Sequence, residues 1–341
     1  MFSPKSHVKL VGVVVAAMVS VPAQMWSQRA DLAAADKAAV GSTSPLQALQ
    51  DGRVEDAAAM LRASLNSNPG NAYARQLLCR VYYTQDRADE AVHECELAAG
   101  AGGQSAQSAS DNQLWLGRAY GLKARHAGPI AGFKLARRVQ ACFAKAVELN
   151  SANAAAMSDL GEYYVDAPAI VGGGTDKAKM LADSMMSKFP AQAHQLLGRI
   201  ATENGEYDTA EAEFKRVIAI QKSTQAWVDL AAFYQKRGRN DDAVAAIKSG
   251  LTADRTHGPA IVDSASVLIA MHRESELAER CLRLYLASRA RTDEAPAFKV
   301  HVELSRLLKA RGLSDEAGQQ MAAATALAPV FARSSRQWQG L

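Results

Sequence analysis

Apolar residues along the chain recur at helical spacing, and a short phrase returns between them. It consists of a Gly or polar turn, acidic residues, an Ala, a bulky apolar residue four positions on and a small residue three beyond that. Gly52-Arg-Val-Glu-Asp-Ala57 leads to Leu61 and Ser64, and Asp86-Arg-Ala-Asp-Glu-Ala91 to Cys95 and Ala98. Gly205-Glu-Tyr-Asp-Thr-Ala210 leads to Phe214 and Val217, Gly238-Arg-Asn-Asp-Asp-Ala243 to Ile247 and Gly250, and Gly312-Leu-Ser-Asp-Glu-Ala317 to Met321 and Ala324. Ala57 and Ala91 are 34 residues apart, and Ala210 and Ala243 are 33. A period of this size marks a repeat architecture in which each unit is one supersecondary element. Upstream of the phrase lies a second helical pattern: Leu78-Cys-Arg-Val-Tyr82, Leu116-Gly-Arg-Ala-Tyr120, Leu160-Gly-Glu-Tyr-Tyr164 and Trp227-Val-Asp-Leu-Ala-Ala-Phe-Tyr234. Each unit therefore predicts two antiparallel helices. Pro69, Pro190 and Pro329 stop the second helix and turn the chain into the next unit.

With Trp, Leu-Gly, Tyr, Ala, Phe, Ala and Pro in this order, the chain resembles the tetratricopeptide-repeat (TPR) family over about residues 42 to 332. The resemblance implies an all-α superhelical solenoid of antiparallel helix pairs, in roughly eight units, that binds partners on its concave face. The expected organisation is a leader at 1–23, a linker at 24–44, the solenoid at 45–332 and a tail at 333–341. Composition agrees: 48% of residues are hydrophobic but only 6% aromatic, which suits closely packed helices better than a sheet.

Three places break the period. Gly100 to Ser110 reads as a flexible loop, and about ten extra residues after Tyr120 contain Arg125-His-Ala-Gly-Pro-Ile130. The third is Asp166-Ala-Pro-Ala-Ile-Val-Gly-Gly-Gly-Thr-Asp-Lys-Ala178. Its glycines either present backbone N–H groups to an anion or make a wide turn, with Thr175 or Asp176 capping the following helix. The Gly-x4-Gly-Lys-Ser/Thr phosphate loop is not present. This insertion is also similar to the Ala-Pro…Gly-Gly…Asp-Lys-Ala insertion of periplasmic repeat proteins like the T component of tripartite ATP-independent transporters. The segment Arg255 to Leu286 fits the repeat only loosely.

At the N-terminus, Lys5 and Lys9 precede the apolar run Leu10 to Val19, and Val21-x-Ala23 follows. These are the parts of a secretory signal peptide, with an uncleaved anchor as the alternative. The run is shorter than the about 20 residues a span requires, and no later segment is apolar for long enough. Export to the periplasm or outside the cell is the expectation. Losing Lys5 and Lys9 lowers 39 basic residues to 37 against 35 acidic ones, no electrostatic footprint for nucleic acid.

Catalytic chemistry finds no foothold. His93-Glu-Cys-Glu96 is not His-Glu-x-x-His, and no Gly-x-Ser-x-Gly elbow or paired-Cys metal motif occurs. The expectation is a protein with no catalytic, cofactor or metal site. Cys79 and Cys95 fall at similar heights across one helical hairpin, so they read either as a disulfide or as two small core residues.

The repeat register assigns Arg80, Arg118, Arg199 and Arg306 to one inward position on the first helices. Tyr73, Gln76, Tyr83, Gln195, Gln225, Gln235, Lys299 and Lys309 share that wall, interrupted by Glu162. Spaced guanidiniums suit carboxylates or phosphates of a partner, or else pair with acidic residues of adjoining helices such as Glu162 or Glu203. The family's carboxylate clamp for chaperone tails is not reproduced residue by residue. Two functions follow: a scaffold holding a protein or peptide, or a small-molecule-binding accessory of a periplasmic transport system framed by Gly172–Gly174. N-terminal sequencing of protein recovered from the cell envelope should find the mature chain beginning at Gln24; intact Met1 in the cytosol would exclude export.

Overall fold

The computed structural model describes residues 43–334; the leader at 1–23, nearly all of the linker and the tail beyond 334 lie outside them. Among the described residues the secondary structure is helical, with no strand. In chain order the helices are α1 (Pro45–Gln50), α2 (Val54–Ser67), α3 (Ala72–Thr84), α4 (Ala88–Ala99), α5 (Ala106–Arg125) and α6 (Pro129–Leu149). There follow α7 (Ala154–Asp166), α8 (Thr175–Met185), α9 (Pro190–Glu203), α10 (Tyr207–Gln221), α11 (Thr224–Lys236) and α12 (Asn240–Ala253). The last are α13 (Pro259–Ala270), α14 (Ser275–Ala287), α15 (Ala297–Ala310), α16 (Ser314–Leu327) and α17 (Pro329–Ser334). They pair as a solenoid of stacked antiparallel hairpins, and the chain divides into two compact units. One comprises Gly70–Val217; the other joins residues up to Pro69 to Ile218 and beyond.

The recurring phrase has a plain physical content. Its acidic residues fall in the first turn of each second helix: Glu55 and Asp56, Asp89 and Glu90, Asp241 and Asp242, Asp315 and Glu316. There they meet the positive end of the helix dipole, worth about 0.3–1 kcal/mol each at an exposed site. The Ala that follows is buried in every case, from 0% exposure at Ala57, Ala91, Ala210 and Ala243 to 5% at Ala317. Five first helices begin differently, at a Ser or Asn cap (Ser44, Asn71, Ser105, Asn153, Ser223) whose side chain accepts a backbone N–H of the first turn, while α9, α13 and α15 have no side-chain cap.

In the first unit the two helices of a hairpin meet at a small residue. A Cβ on Gly117 of α5 would collide with the Phe143 ring of α6, and one on Gly198 of α9 would stand 3.1 Å from Phe214 of α10. At the corresponding place on α3 and α4 the structure has Cys79 and Cys95, joined as a disulfide with Cα atoms 5.3 Å apart. A polar rung crosses two of these hairpins, α3–α4 and α9–α10, one turn away. Arg75 reaches Glu94 at 2.7 Å and His194 reaches Glu213 at 2.6 Å, both across 19 residues of sequence. The second unit repeats it with His301 and Gln320 at 2.8 Å, again 19 residues apart.

Two of the irregular segments differ from the sequence expectation. Residues 106–110 are helical, because Ser105 caps α5 through the Ser108 N–H at 3.1 Å. The extra residues after Tyr120 lengthen both members of the pair, to 20 residues in α5 and 21 in α6. The glycine insertion is a packed turn: a 3-10 turn at Ala169–Val171, then Gly172 and Gly174 with φ of 100° and 136°. The Tyr163 hydroxyl donates to the carbonyls of Val171 and Ala136 at 2.8 Å, and the Gly174 N–H donates to the Tyr164 carbonyl at 2.7 Å. Neither Thr175 nor Asp176 caps α8; Gly174 holds the cap position and Thr175 begins the helix.

In the second unit the first hairpin, α1–α2, packs on residues near the other end of the described chain. Gly52, in a left-handed turn with φ of 82°, backs onto Ala297 and Phe298 of α15. Arg291 donates to Asp51 at 3.1 Å, and the Val330 N–H donates to Glu55 at 3.0 Å. Arg291 is itself held by the Leu286 and Ser288 carbonyls, in a loop closed by the buried Tyr285 hydroxyl donating to the Ala295 carbonyl at 2.6 Å.

Two glycines separate space from conformation. A Cβ on Gly173 would drive into the Ala167 carbonyl, whereas Gly121, inside α5, has open space around it. Gly173→Ala should destabilise by about 1–3 kcal/mol through overpacking. Gly121→Ala should stabilise by roughly 0.5–1 kcal/mol through helix propensity. Urea denaturation of the two variants checks both signs.

Candidate partner-binding surface

The inward arginines of the first unit are built into packing between neighbouring first helices. The Arg80 guanidinium, on α3, lies 4.9 Å from the centre of the Trp115 ring, and that of Arg118, on α5, lies 4.8 Å from the same ring. Tyr83 meets Trp115 edge-on with ring centres 5.7 Å apart. Arg118 then reaches α7, donating through Nε and Nη2 to the two oxygens of Asp159 at 2.7 and 3.2 Å. This two-point pairing fixes the guanidinium plane. Arg199, on α9, pairs with Asp166 through one nitrogen, Nη2, which donates to both carboxylate oxygens at 2.9 and 3.0 Å, with Glu162 3.8 Å from Nη1. The acidic partners are thus Asp159, Asp166 and Glu162. Burial pushes the Tyr83 phenol up, partly opposed by Arg125 and Arg118.

Other residues assigned to this wall divide by exposure. Tyr73 is open to solvent at 49%, while Gln76 and Gln195 are buried. Gln76 donates to Asn112 of α5 at 2.8 Å and serves as a tie between hairpins. Arg306 and Lys309 are exposed on α15, and Gln235 and Lys299 are half-buried, all in the second unit. Arg80, Arg118 and Arg199 belong to the first unit.

The second unit holds a row the sequence reading passed over. Asp229 on α11, Asp263 on α13 and Glu303 on α15 each stand nine residues before the left-handed residue that closes the hairpin, Gly238, His272 or Gly312. They therefore share one position on three first helices. Gln225, one turn before Asp229, donates to Asp229 at 3.0 Å and also bonds Asp263. Ser266 donates to Glu303 at 2.9 Å, joining α13 to α15. Burial, then the charges of Asp229, Glu294 and Glu303, push the Asp263 carboxyl up to about 7, against a lowering by the Gln225 bond. Burial raises Glu303 too, opposed by Ser266 and Arg306. Counting back from the turn would have found this row, but His272 stands where the neighbouring hairpins have Gly.

Among the described residues no group of three or more His, Cys, Asp or Glu is placed to hold a metal. Cys142 and Cys281 are buried thiols, each pushed up to about 11 by burial. Among the described residues no helix is long and apolar enough to cross a membrane.

Residues 195–331 match the family model of the middle TPR-like domain of cilia and flagella-associated protein 70, and residues 48–110 match a tetratricopeptide-repeat model. The fold, a stack of helical hairpins without a catalytic cluster among the described residues, is of the kind typical of non-catalytic scaffolds. The chain is a tetratricopeptide-repeat protein. Among solved structures it is similar to a tetratricopeptide repeat protein from Parabacteroides merdae, with 16% identity over 75% of this chain and 91% of that one and a TM-score of 0.45. It is similar also to the APC/C hetero-tetramer Cut9–Hcn1, with 13% identity over 84% of this chain and 52% of that one and a TM-score of 0.37. No curated protein matches the sequence.

The raised Asp263 carboxyl carries a signed consequence. Its unfolded value is near 3.8 and its folded value about 7, so between these the folded state binds the extra proton. Stability from this group is present below pH 3.8 and is lost as pH rises through about 7. Asp263→Asn should therefore raise the melting temperature at pH 8 relative to the parent, with a smaller difference at pH 5. Melts across that range read out the crossing.

Proposed function

We propose that this chain is an exported, non-enzymatic scaffold that holds a segment of another protein against its first helices. The observation that carries the reading is that polar side chains recur in register on those helices. The exposed Arg306 stands six residues before the turn residue, as do the buried Arg80 and the ion-paired Arg199, while the half-buried Asp229, Asp263 and Glu303 stand nine before it. An extended segment crossing successive hairpins of a unit meets the same register position each time.

Export is supported by the basic–apolar–small order of residues 5–23. A disulfide between Cys79 and Cys95 suits an oxidising compartment. The Gly172–Gly174 turn, on which a small-molecule role would depend, is occupied by its own packing against Ala167, Gln140 and Tyr163.

A photo-crosslinking residue should replace Tyr73, exposed on α3, and in a second variant Met180, 73% exposed on the second helix α8. In cells making each variant, the Tyr73 position should yield a discrete crosslinked protein that the Met180 position does not. Equal capture at both, or none at either, would overturn the reading.

A further inference from the structure

The α5–α6 hairpin of the first unit is longer than its neighbours, and the extra length of α6 lies at one end. In α4 and α10 the residue that meets the small one of the partner helix, Cys95 or Phe214, stands seven residues after the helix begins at Ala88 or Tyr207. In α6 the same residue, Phe143, stands fourteen after Pro129, so the seven residues 129–135 are additional. At 1.5 Å per residue they carry α6 roughly 10 Å past the level at which α4 and α10 begin. The chain is exposed from Gly128 to Ala131, with Ile130 at 79% and Phe133 at 38%. The glycine turn is fastened to the base of this extension, because the Tyr163 hydroxyl donates to both the Ala136 and the Val171 carbonyls, and it adds Ile170, 74% exposed. Charge along the hairpin is one-sided. Between Asp111 and Glu148 the sequence has seven Lys or Arg residues and no Asp or Glu, so an anion approaching this end meets no carboxylate of the hairpin itself. Ile130, Phe133, Lys134 and Arg137 follow helical spacing along one exposed stripe of α6, apolar at the tip and basic behind it. Arg138, also exposed, lies over the Tyr120 ring at 5.3 Å from its centre. On the α4 side Lys123 is paired with Asp89 at 2.8 Å, which bounds the patch.

We propose that this tip docks on an anionic lipid bilayer, with Ile130 and Phe133 entering the boundary between headgroups and acyl chains and Lys134, Arg137 and Arg138 meeting the lipid phosphates. Ile130 and Arg137 are seven residues apart, about 10 Å along the helix axis. That separation matches the depth of about 5–10 Å to which interfacial apolar side chains sink. Long basic side chains lay their stems along apolar surface and keep their charged heads at the interface. Pro129 begins the helix, so the leading residue brings no backbone N–H into the boundary. A convex end suits a plane, whereas an extended peptide needs a groove. A second copy of the chain would set one basic tip against another, and like charges oppose that contact. Anionic headgroups supply the complementary charge at the level of the guanidiniums. The inference is separate from the scaffold reading, since it concerns neither the first-helix wall nor what is held there.

Flotation of the purified chain with lipid vesicles tests it, using phosphatidylcholine alone or with roughly one-third phosphatidylglycerol. All proteins compared share one N-terminus, so the segment before the solenoid contributes equally to each. At least fivefold more protein should float with the anionic vesicles than with the neutral ones, and the difference should shrink as salt rises. Ile130→Ala with Phe133→Ala, which leaves the charge unchanged, should lower flotation at least fivefold, as should Lys134→Gln with Arg137→Gln. Lys215→Gln with Lys248→Gln, exposed on the second helices α10 and α12, should change it less than twofold. Circular dichroism accompanies each variant; if a double variant fails to fold, Ile130→Ala alone should cost at least threefold. No flotation with anionic vesicles, or equal losses in the α10 and α12 control, would overturn the proposal. Flotation that needs the basic pair but survives loss of Ile130 and Phe133 would reduce the contact to charge alone and overturn the insertion. If no vesicle binds, yet a fluorescein-labelled (Glu-Gly-Ser) peptide does and the basic pair is required, the tip belongs to an acidic protein segment and the proposal falls.

Discussion

Everything in this molecule depends on how closely the two helices of a hairpin approach. That distance is set where a residue without a substantial side chain meets a large one from the other helix, as Gly117 meets Phe143 and Gly198 meets Phe214. The buried alanine behind each turn does the same one turn further on. Because the interior is packed as densely as an organic crystal, a single added carbon at such a point displaces neighbours and is not absorbed. The α3–α4 pair reaches the same approach by covalent means, since a disulfide spans about the distance that a small residue and a bulky one would otherwise fill.

That contact is also why so much of the fold could be read from the chain. A requirement that recurs every 33 or 34 residues writes itself into the sequence as Ala57, Ala91, Ala210, Ala243 and Ala317, with acidic residues before each to start the helix. Irregular segments were harder for opposite reasons. Ser105 to Ser110 has the composition of a loop, and only the cap at Ser105 turns it into the first turn of α5. The three glycines at 172–174 read either as an anion-binding run or as a wide turn, and the Tyr163 hydroxyl, the Ala167 carbonyl and the backbone of Tyr164 make them a packed turn.

The polar face was half legible. The arginines were visible because guanidiniums at one register position stand out, but their partners Asp159 and Asp166 were not, since an ion pair between neighbouring hairpins has no fixed spacing in sequence. Arg118 and Trp115 consequently serve the stacking of α3, α5 and α7 whatever they do for a ligand. The acidic row in the second unit escaped because one of its three turns carries His272 in a left-handed conformation usually left to glycine. An irregular letter at the turn hid a regular charge on the helix.

The docking of α1–α2 on α15 and α17 has a consequence in time. Residues 45–67 leave the ribosome early, but the surfaces that receive Gly52, Asp51 and Glu55 lie at Ala297, Arg291 and Val330, more than 200 residues later. During synthesis the hairpin can close on itself but has no seat, and its buried Leu49, Val54 and Leu61 must wait, exposed, for a late part of the chain. Contacts of such long sequence separation form slowly, because the loop between them must be ordered first. Of the described hairpins the first in chain order is thus among the last to be secured, and a truncation near residue 290 would strand it.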